Sequence, residues 1–479
     1  MGIDNNSFVL NNLFLKSATT SSSYSGDTSF VLEWLKIQNE KINVSIEKIP
    51  FNEMNNWFFD DITGTIRHQS GLFFSIDGIR VSTNHGNIST WDQPIINQPE
   101  IGYLGFITKE FNGVLHFLVQ AKIEPGNVNY VQLSPTIQAT RSNYNQVHKG
   151  NKPLYLEYFQ NVKPENVLLD QLQSEQGARF LMKRNRNVII SVPDEIKIYD
   201  NFIWLTLGHI KELMCYNNLI NMDTRTVISG IQYGNYNENN AMLLHYFISK
   251  TNITTHNADF FKSAVTSNNE VNNLDEIIHF ITKIKSKYDL FINKIPLNVV
   301  QGWNISKTEI SREDSKYFKV IGVNVTIGNR EVVSWQQPMI EPAHRGICAF
   351  VCKKINGVIH FIVQAKLECG NRDIIEMAPT VQCLTGDYRS PDSQIVPFLD
   401  YVLNATPIQI IFDTVQSEEG GRFYKEQNRN LVIMADDNFS DNLPENYIWM
   451  TLNQLYYFNR FNNYLNIQAR SLIAAITFI

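Results

Sequence analysis

The 479-residue sequence predicts an α+β protein in which one domain, a mixed sheet flanked by helices, is written twice in tandem. Three observations predict it. GVLHFLVQAKIEPGN, Gly113 to Asn127, returns as GVIHFIVQAKLECGN, Gly357 to Asn371. Trp91-Asp-Gln-Pro94 and Pro135-Thr-Ile-Gln138 return at the same offset, as Trp335-Gln-Gln-Pro338 and Pro379-Thr-Val-Gln382. Further on, QSEQGARF from Gln173 returns as QSEEGGRF from Gln416, and Trp204-Leu-Thr-Leu207 as Trp449-Met-Thr-Leu452. A period this long marks a duplicated domain, because solenoid units run about 20 to 50 residues.

The expected division is a mobile leader over 1–27, copy one over 28–230, an Asn-rich connection over 231–273 and copy two over 274–479. Each copy opens on an amphipathic pattern: Val31, Trp34 and Leu35 in one, Ile277, Ile278, Ile281 and Ile284 in the other. Both precede Lys-Ile-Pro, which predicts a helix stopped by proline. Alternating β-rich runs follow at Leu72 to Val81, Gly102 to Ile107 and Val114 to Ile123. The spacing of Leu168, Leu172, Gln176 and Phe180 predicts a helix, Val188 to Val192 a strand, and a further helix begins near Thr206.

Composition removes several function classes. The net charge is -6, only 18% of residues are charged and no Lys/Arg run occurs, so a nucleic-acid surface is not expected. No apolar stretch approaches the ~20 residues that span a bilayer. Five cysteines, four of them in the second half, with no signal-like start, suggest a reducing cytoplasm. Cys348 and Cys352 occur in one copy only and share a parity in an apolar run, which reads as core rather than metal ligands.

Chemistry points to the repeated strand. Alternation puts Leu115, Phe117, Val119, Ala121 and Ile123 on one face and His116, Leu118, Gln120, Lys122 and Glu124 on the other. His360, Gln364, Lys366 and Glu368 repeat the polar set. A solvated edge or a buried network that fixes register would also use such residues. Retention of all four types in both copies favours a pocket floor. A His, a Lys and a Glu on one face can supply a base, an oxyanion stabiliser and a partner that tunes either, which suits proton abstraction beside a carbonyl. No Gly-X-Ser-X-Gly elbow and no dinucleotide fingerprint is present, so neither a serine nucleophile nor a redox cofactor is expected. Asp170, Glu175, Asp413, Glu418 and Glu419 flank the QSE motifs, but Gln176 stands where copy two has Glu419, which weakens a metal reading. Trp91, Gln93, Tyr144, Trp335, Gln337 and Tyr388 could stack on and hydrogen-bond a base or sugar, or serve as core anchors.

Taken together, IRHQSGLFFSIDGIRV (Ile66 to Val81), WDQPIINQPEIGYLGF (Trp91 to Phe106), GVLHFLVQAKIEPGN, LSPTIQATRSNYNQVH (Leu133 to His148) and NMDTRTVIS (Asn221 to Ser229) resemble the NDP-hexose 2,3-dehydratases over nearly the whole chain. The resemblance implies two tandem Nudix-like α/β/α sandwich domains that have lost the hydrolase box, commonly in a homodimer. It also implies a dTDP-linked 4-keto-6-deoxyhexose as substrate, with loss of its carbon-2 hydroxyl giving a 3,4-diketo-2,6-dideoxy sugar without a cofactor. The rival readings are a metal-dependent Nudix-type hydrolase and a silent tandem nucleotide-sugar binding protein.

Under this resemblance the candidate catalytic residues are His116, Lys122, Glu124, His68 and Tyr144. Glu124 or His116 serves as base or acid, and Lys122 supports the oxyanion. Substrate contacts are expected from Trp91, Gln93, Gln120, Asn127, Gln138, Arg141, Ser142, Asn143 and His148 of copy one. Copy two would add Trp335, Gln337, His360, Gln364, Lys366, Glu368, Gln382 and Tyr388. Copy one is expected to hold the working site, because His68, the segment Thr140 to Tyr144 and His148 have no like counterparts in copy two. A composite pocket to which His360, Lys366 and Glu368 also contribute is the counter-reading.

Overall fold

The computed structural model describes residues 5–140, 152–236, 255–328, 333–384 and 396–478, with 240, 243, 245 and 247. Each half carries one seven-stranded mixed sheet and one five-stranded antiparallel sheet. In the first seven-stranded sheet, Val114–Ile123 lies antiparallel to Gly102–Phe111 and Phe202–Thr206, while Arg184–Ser191 runs parallel to Gly102–Phe111. The second repeats this with Val358–Lys366, Gly346–Ile355, Tyr447–Thr451 and Gln427–Met434. The chain is thus α+β with two repeated halves.

The smaller sheets are not each made by one copy. Val44–Ile49 of copy one pairs with Phe318–Ile327 of copy two, and Leu290–Ile295 of copy two pairs with Ser75–Thr83 of copy one. Each half lends the other an edge strand, which covers backbone groups that an open edge would expose. The two turns at the repeated Gly-Asn cross as closely. Gly126 N donates to Gly420 O at 2.7 Å, and Gly370 N to Gly177 O at 2.6 Å. A Cβ on Gly126 would stand 1.7 Å from Phe423 O, and one on Gly370 1.8 Å from Phe180 O, so only glycine admits the crossing.

Several expectations change. Helices do form at Thr28–Glu40 and Leu274–Lys287, but Lys-Ile-Pro closes the exchanged strand that follows each, so proline ends a strand and not the helix. Leu168 to Phe180 is not helical: Val167–Ser174 is a strand paired with Arg184–Ser191, and a turn follows. The expected leader contains the helix Asn5–Ala18, with Phe14, Leu15 and Ala18 buried, and Ser17 Oγ donates to Leu115 O at 2.6 Å. The expected connection contains its twin, Thr255–Val265, where Ser263 Oγ donates to Ile359 O at 2.6 Å. Both are part of the repeat. Cys348 and Cys352 are buried and unpaired in the core of Gly346–Ile355.

Candidate active site

Both faces of Val114–Ile123 are covered near its start, where Leu118 packs in a second apolar cluster with Ile107, Phe159 and Trp204. Only its last residues reach a cavity. That cavity, about 990 Å³, is floored by Gln120, Lys122 and Glu124 and walled by Gln138, Glu175, Lys183, Asn185 and Asp223. Copy two closes it with Trp335, Gln336 and Gln337 and with Glu419, Gly421 and Arg422, and Gln337 Nε2 donates to Gly421 O at 2.8 Å between the two groups. The Gly126 crossing delivers the second group: once the Glu-Pro-Gly-Asn turn of copy one lies against Gly420 and Phe423, the neighbouring Glu419 and Arg422 face copy one's floor.

Hydrogen bonds hold the floor in place. Gln138 Nε2 donates to Glu124 Oε1 at 2.5 Å, and Gln138 Oε1 accepts from Ser134 Oγ at 3.1 Å and Asn221 Nδ2 at 3.3 Å. Asn127 Nδ2 donates to Glu124 Oε2 at 3.4 Å, and Lys122 Nζ donates to Gln138 O at 3.3 Å. Asn185 Nδ2 donates to Glu175 Oε1 at 2.7 Å. Arg422 lies 4.2 Å over the Phe74 ring, with Nε donating to Gln98 Oε1 at 3.2 Å, and Lys183 Nζ donates to Glu100 O.

Four carboxyl groups, Glu124, Glu175, Asp223 and Glu419, meet a small cationic set here, and burial dominates the titration of the last three. Glu419 is pushed up to about 8 by burial, against the pull of Arg422. Burial also raises Glu175 and carries Asp223 well above the ordinary carboxylate range, the latter reinforced by Glu124, Glu175 and Glu419 and opposed by Lys122. Burial pulls Lys183 down. Burial thus favours the protonated form of Glu175, Asp223 and Glu419, the form a general acid needs.

The expected site residues divide by place. Lys122, Glu124, Gln120, Gln138, His68, Trp335 and Gln337 line the cavity. His68 Nδ1 lies 2.8 Å from Ser70 Oγ, and its ring packs edge-on against Trp57 and Phe73. His116 is elsewhere. It is buried, its Nε2 accepts from Tyr24 N at 3.0 Å and its Nδ1 bonds Val114 O at 2.9 Å. Accepting a backbone N–H fixes the neutral tautomer, and burial lowers its pKa, so the ring pins the N-terminal segment and does not line the cavity. His360 repeats the arrangement with Val271 N at 3.0 Å and Val358 O at 2.9 Å. The repeated histidine is therefore a structural signal.

Asn127 lies under the floor. Trp91 and Gln93 belong to the mirrored side: Trp91 Nε1 donates to Gln93 Oε1 at 3.0 Å, as Trp335 Nε1 does to Gln337 Oε1 at 2.8 Å. Gln364, Lys366, Glu368 and Gln382 sit on copy two's own strand and its neighbours, not in this cavity. Arg141, Ser142, Asn143, Tyr144, His148 and Tyr388 lie outside the described residues. The cavity is composite, but through Trp335, Gln337, Glu419 and Arg422 and not through His360, Lys366 or Glu368. Asp223, Lys183, Asn185 and Arg422 also line the cavity and were not among the expected site residues.

The family model for NDP-hexose 2,3-dehydratase matches residues 28–231 and again 274–476. The chain belongs to the NDP-hexose 2,3-dehydratase family. The motif resemblance thus holds over both repeats. Among this family's members, a dTDP-4-dehydro-6-deoxy-alpha-D-glucopyranose 2,3-dehydratase of Saccharopolyspora spinosa is 42% identical over 447 residues, 92% of this chain and 90% of the relative. Proteins of the same name are 41% identical over 466 residues in Amycolatopsis orientalis (96% of this chain, 92% of the relative) and 40% over 454 residues in Streptomyces violaceoruber (94% and 97%). No helix among the described residues of this 2,3-dehydratase family member is long and apolar enough to cross a membrane.

Proposed function

We propose that this chain removes water across carbons 2 and 3 of a dTDP-linked 4-keto-6-deoxyhexose, and that it does so in the composite cavity. The observation that carries the reading is the meeting of Lys122 and Glu124 with Glu175, Asp223 and Glu419 in one space large enough for a nucleotide sugar. The 4-keto group acidifies the carbon-3 proton. Glu124, held by Gln138 and Asn127, takes that proton, and Lys122 supports the charge that grows on the keto oxygen. The electron pair then expels the carbon-2 hydroxyl as water, and the resulting enol tautomerises to the 3,4-diketo sugar. Trp335, Gln337, Gln120 and His68 shape the walls around the substrate.

Copy one carries the floor in this reading, and copy two completes the site. The relatives' names do not favour a hydrolase. Two finer points belong to the proposal. Each half is a Nudix-like sandwich, for which the parallel pair inside an otherwise antiparallel sheet is support. The working form is a cytoplasmic homodimer, which sedimentation of the purified protein tests. The reaction is checked by mass spectrometry: purified protein with a dTDP-4-keto-6-deoxyhexose gives a product lighter by one water, with solvent deuterium entering at carbon 2 as the enol tautomerises. Bound but unchanged substrate refutes it.

A further inference from the structure

Removing a hydroxyl as water needs an acid as well as a base, and the floor strand offers no second carboxyl. Asp223 stands in the cavity wall on the helix Met222–Ile228, two residues after the Asn221 cap whose side chain is tied to Gln138 and so to Glu124. Its side chain is 3% exposed, and its Oδ1 has no hydrogen-bond partner among the described residues. A buried carboxylate in that position would lack the donors that normally stabilise it, whereas a carboxylic acid carries its own donor. The groups close enough to act on it are Lys122, Glu124, Glu175 and, from copy two, Glu419; three of these four repel a charge on Asp223. The equivalent helix of copy two, Ile467–Ala474, keeps the capping asparagine, Asn466, and its bond to Gln382, but places Gln468 at the corresponding position. An amide there keeps the shape and loses the acid.

Resting on the proposed dehydration, we infer that Asp223 is the acid that protonates the departing carbon-2 hydroxyl. The balance is simple. Glu124 takes the carbon-3 proton, the enolate pair forms the carbon 2–carbon 3 double bond and restores the carbonyl, the carbon 2–oxygen bond breaks, and the Asp223 proton completes the water molecule. Glu124 and Asp223 end the cycle with one proton between them, as they began it, exchanged between two carboxyls of the same cavity.

A change of leaving group tests this. Wild type, Asp223→Asn and Asp223→Gln are assayed on the natural substrate and on its 2-deoxy-2-fluoro analogue, whose fluoride leaves without full protonation. Asp223→Asn should lose about 100-fold or more in turnover on the hydroxyl substrate. Fluoride release should stay close to wild type. Equal loss on both substrates in a folded variant that still binds the nucleotide sugar overturns the proposal, as does retention of both. Asp223→Gln, the residue type copy two already accommodates, gives the same two readings if the asparagine variant does not fold. Wild type inactive on both substrates sinks the parent dehydration reading, an outcome visible before any variant is compared.

Discussion

The same repeat builds two facing sites, and the two have diverged in what covers their floors. Copy two keeps the floor: Gln382 Nε2 donates to Glu368 Oε1 at 2.9 Å, as Gln138 does to Glu124. Its wall differs. Gln468 replaces Asp223, Glu426 replaces Lys183, and from the opposite half Gln176 replaces Glu419. There the covering residues bind the wall: Gln176 Nε2 donates to Glu418 Oε2 at 2.9 Å, and Arg179 Nη2 lies 4.0 Å from Glu426 Oε1. In copy one the covering Arg422 turns aside to Gln98 and the wall's Lys183 to Glu100, and the cavity stays open. A repeated floor therefore does not distinguish the two halves, and the three or four side chains that face it do.

The largest expected effect breaks or upholds this asymmetry. Glu124→Gln should lower turnover by about 100-fold to 10,000-fold with binding of the nucleotide sugar retained, while Glu368→Gln leaves turnover near normal. Lys122→Met and Lys366→Met should divide in the same way, because a cation that stabilises only the developing oxyanion acts on turnover. Turnover and equilibrium binding are measured separately on each pair. Loss only in the copy-two variants reverses the assignment, and loss in both makes both floors functional.

A smaller effect separates the halves by pH. Lys211, fully buried, donates to Ala474 O at 2.8 Å and Ile476 O at 2.7 Å, and burial brings its pKa down to about 7; the matching position in copy two is Tyr456. Between about 7 and the ordinary lysine value the unfolded chain holds a proton that the folded one has released, so this group's contribution to stability rises with pH across that window. Thermal unfolding at pH 7 and pH 9.5 should show a wild-type gain that Lys211→Met lacks. A parallel shift in both proteins would exclude the lysine as its source.

The smallest effect should be the same in both halves. His116→Ala and His360→Ala each strip the acceptor from one part-buried backbone N–H, at a cost of about 1 kcal/mol, with turnover per folded molecule unchanged. Calorimetry beside an activity assay checks this, and a turnover defect confined to His116→Ala would restore that residue to the chemistry.

Legibility in the sequence followed the range of the interactions. Val114–Ile123 and the helix capped by Thr206 were readable because alternation and capping are local. Leu168 to Phe180 misled because the four spaced residues fit a helical period, while pairing with Arg184–Ser191 decided the conformation. Lys-Ile-Pro misled because the strand it ends has its partner in the other copy. Lys122 and Glu124 were legible as a polar strand end, but His116 shared their parity and not their place, since the cavity reaches only the last residues of the strand. Arg422 and Asp223 were beyond reach for opposite reasons. Arg422 belongs to the other copy, and Asp223 gives a signal only in what its counterpart lacks.

The exchanged strands also set an order of events during synthesis. Ser75–Thr83 pairs with Thr90–Asn97 on one side, but its other edge from Gly78 to Thr83 has no partner until Leu290–Ile295 has been made, more than two hundred residues later. At about 5–20 residues per second, the first half waits on the order of tens of seconds with that strand edge open. The nascent chain is most exposed to edge-to-edge association in that interval, and completion of the second half is what ends it.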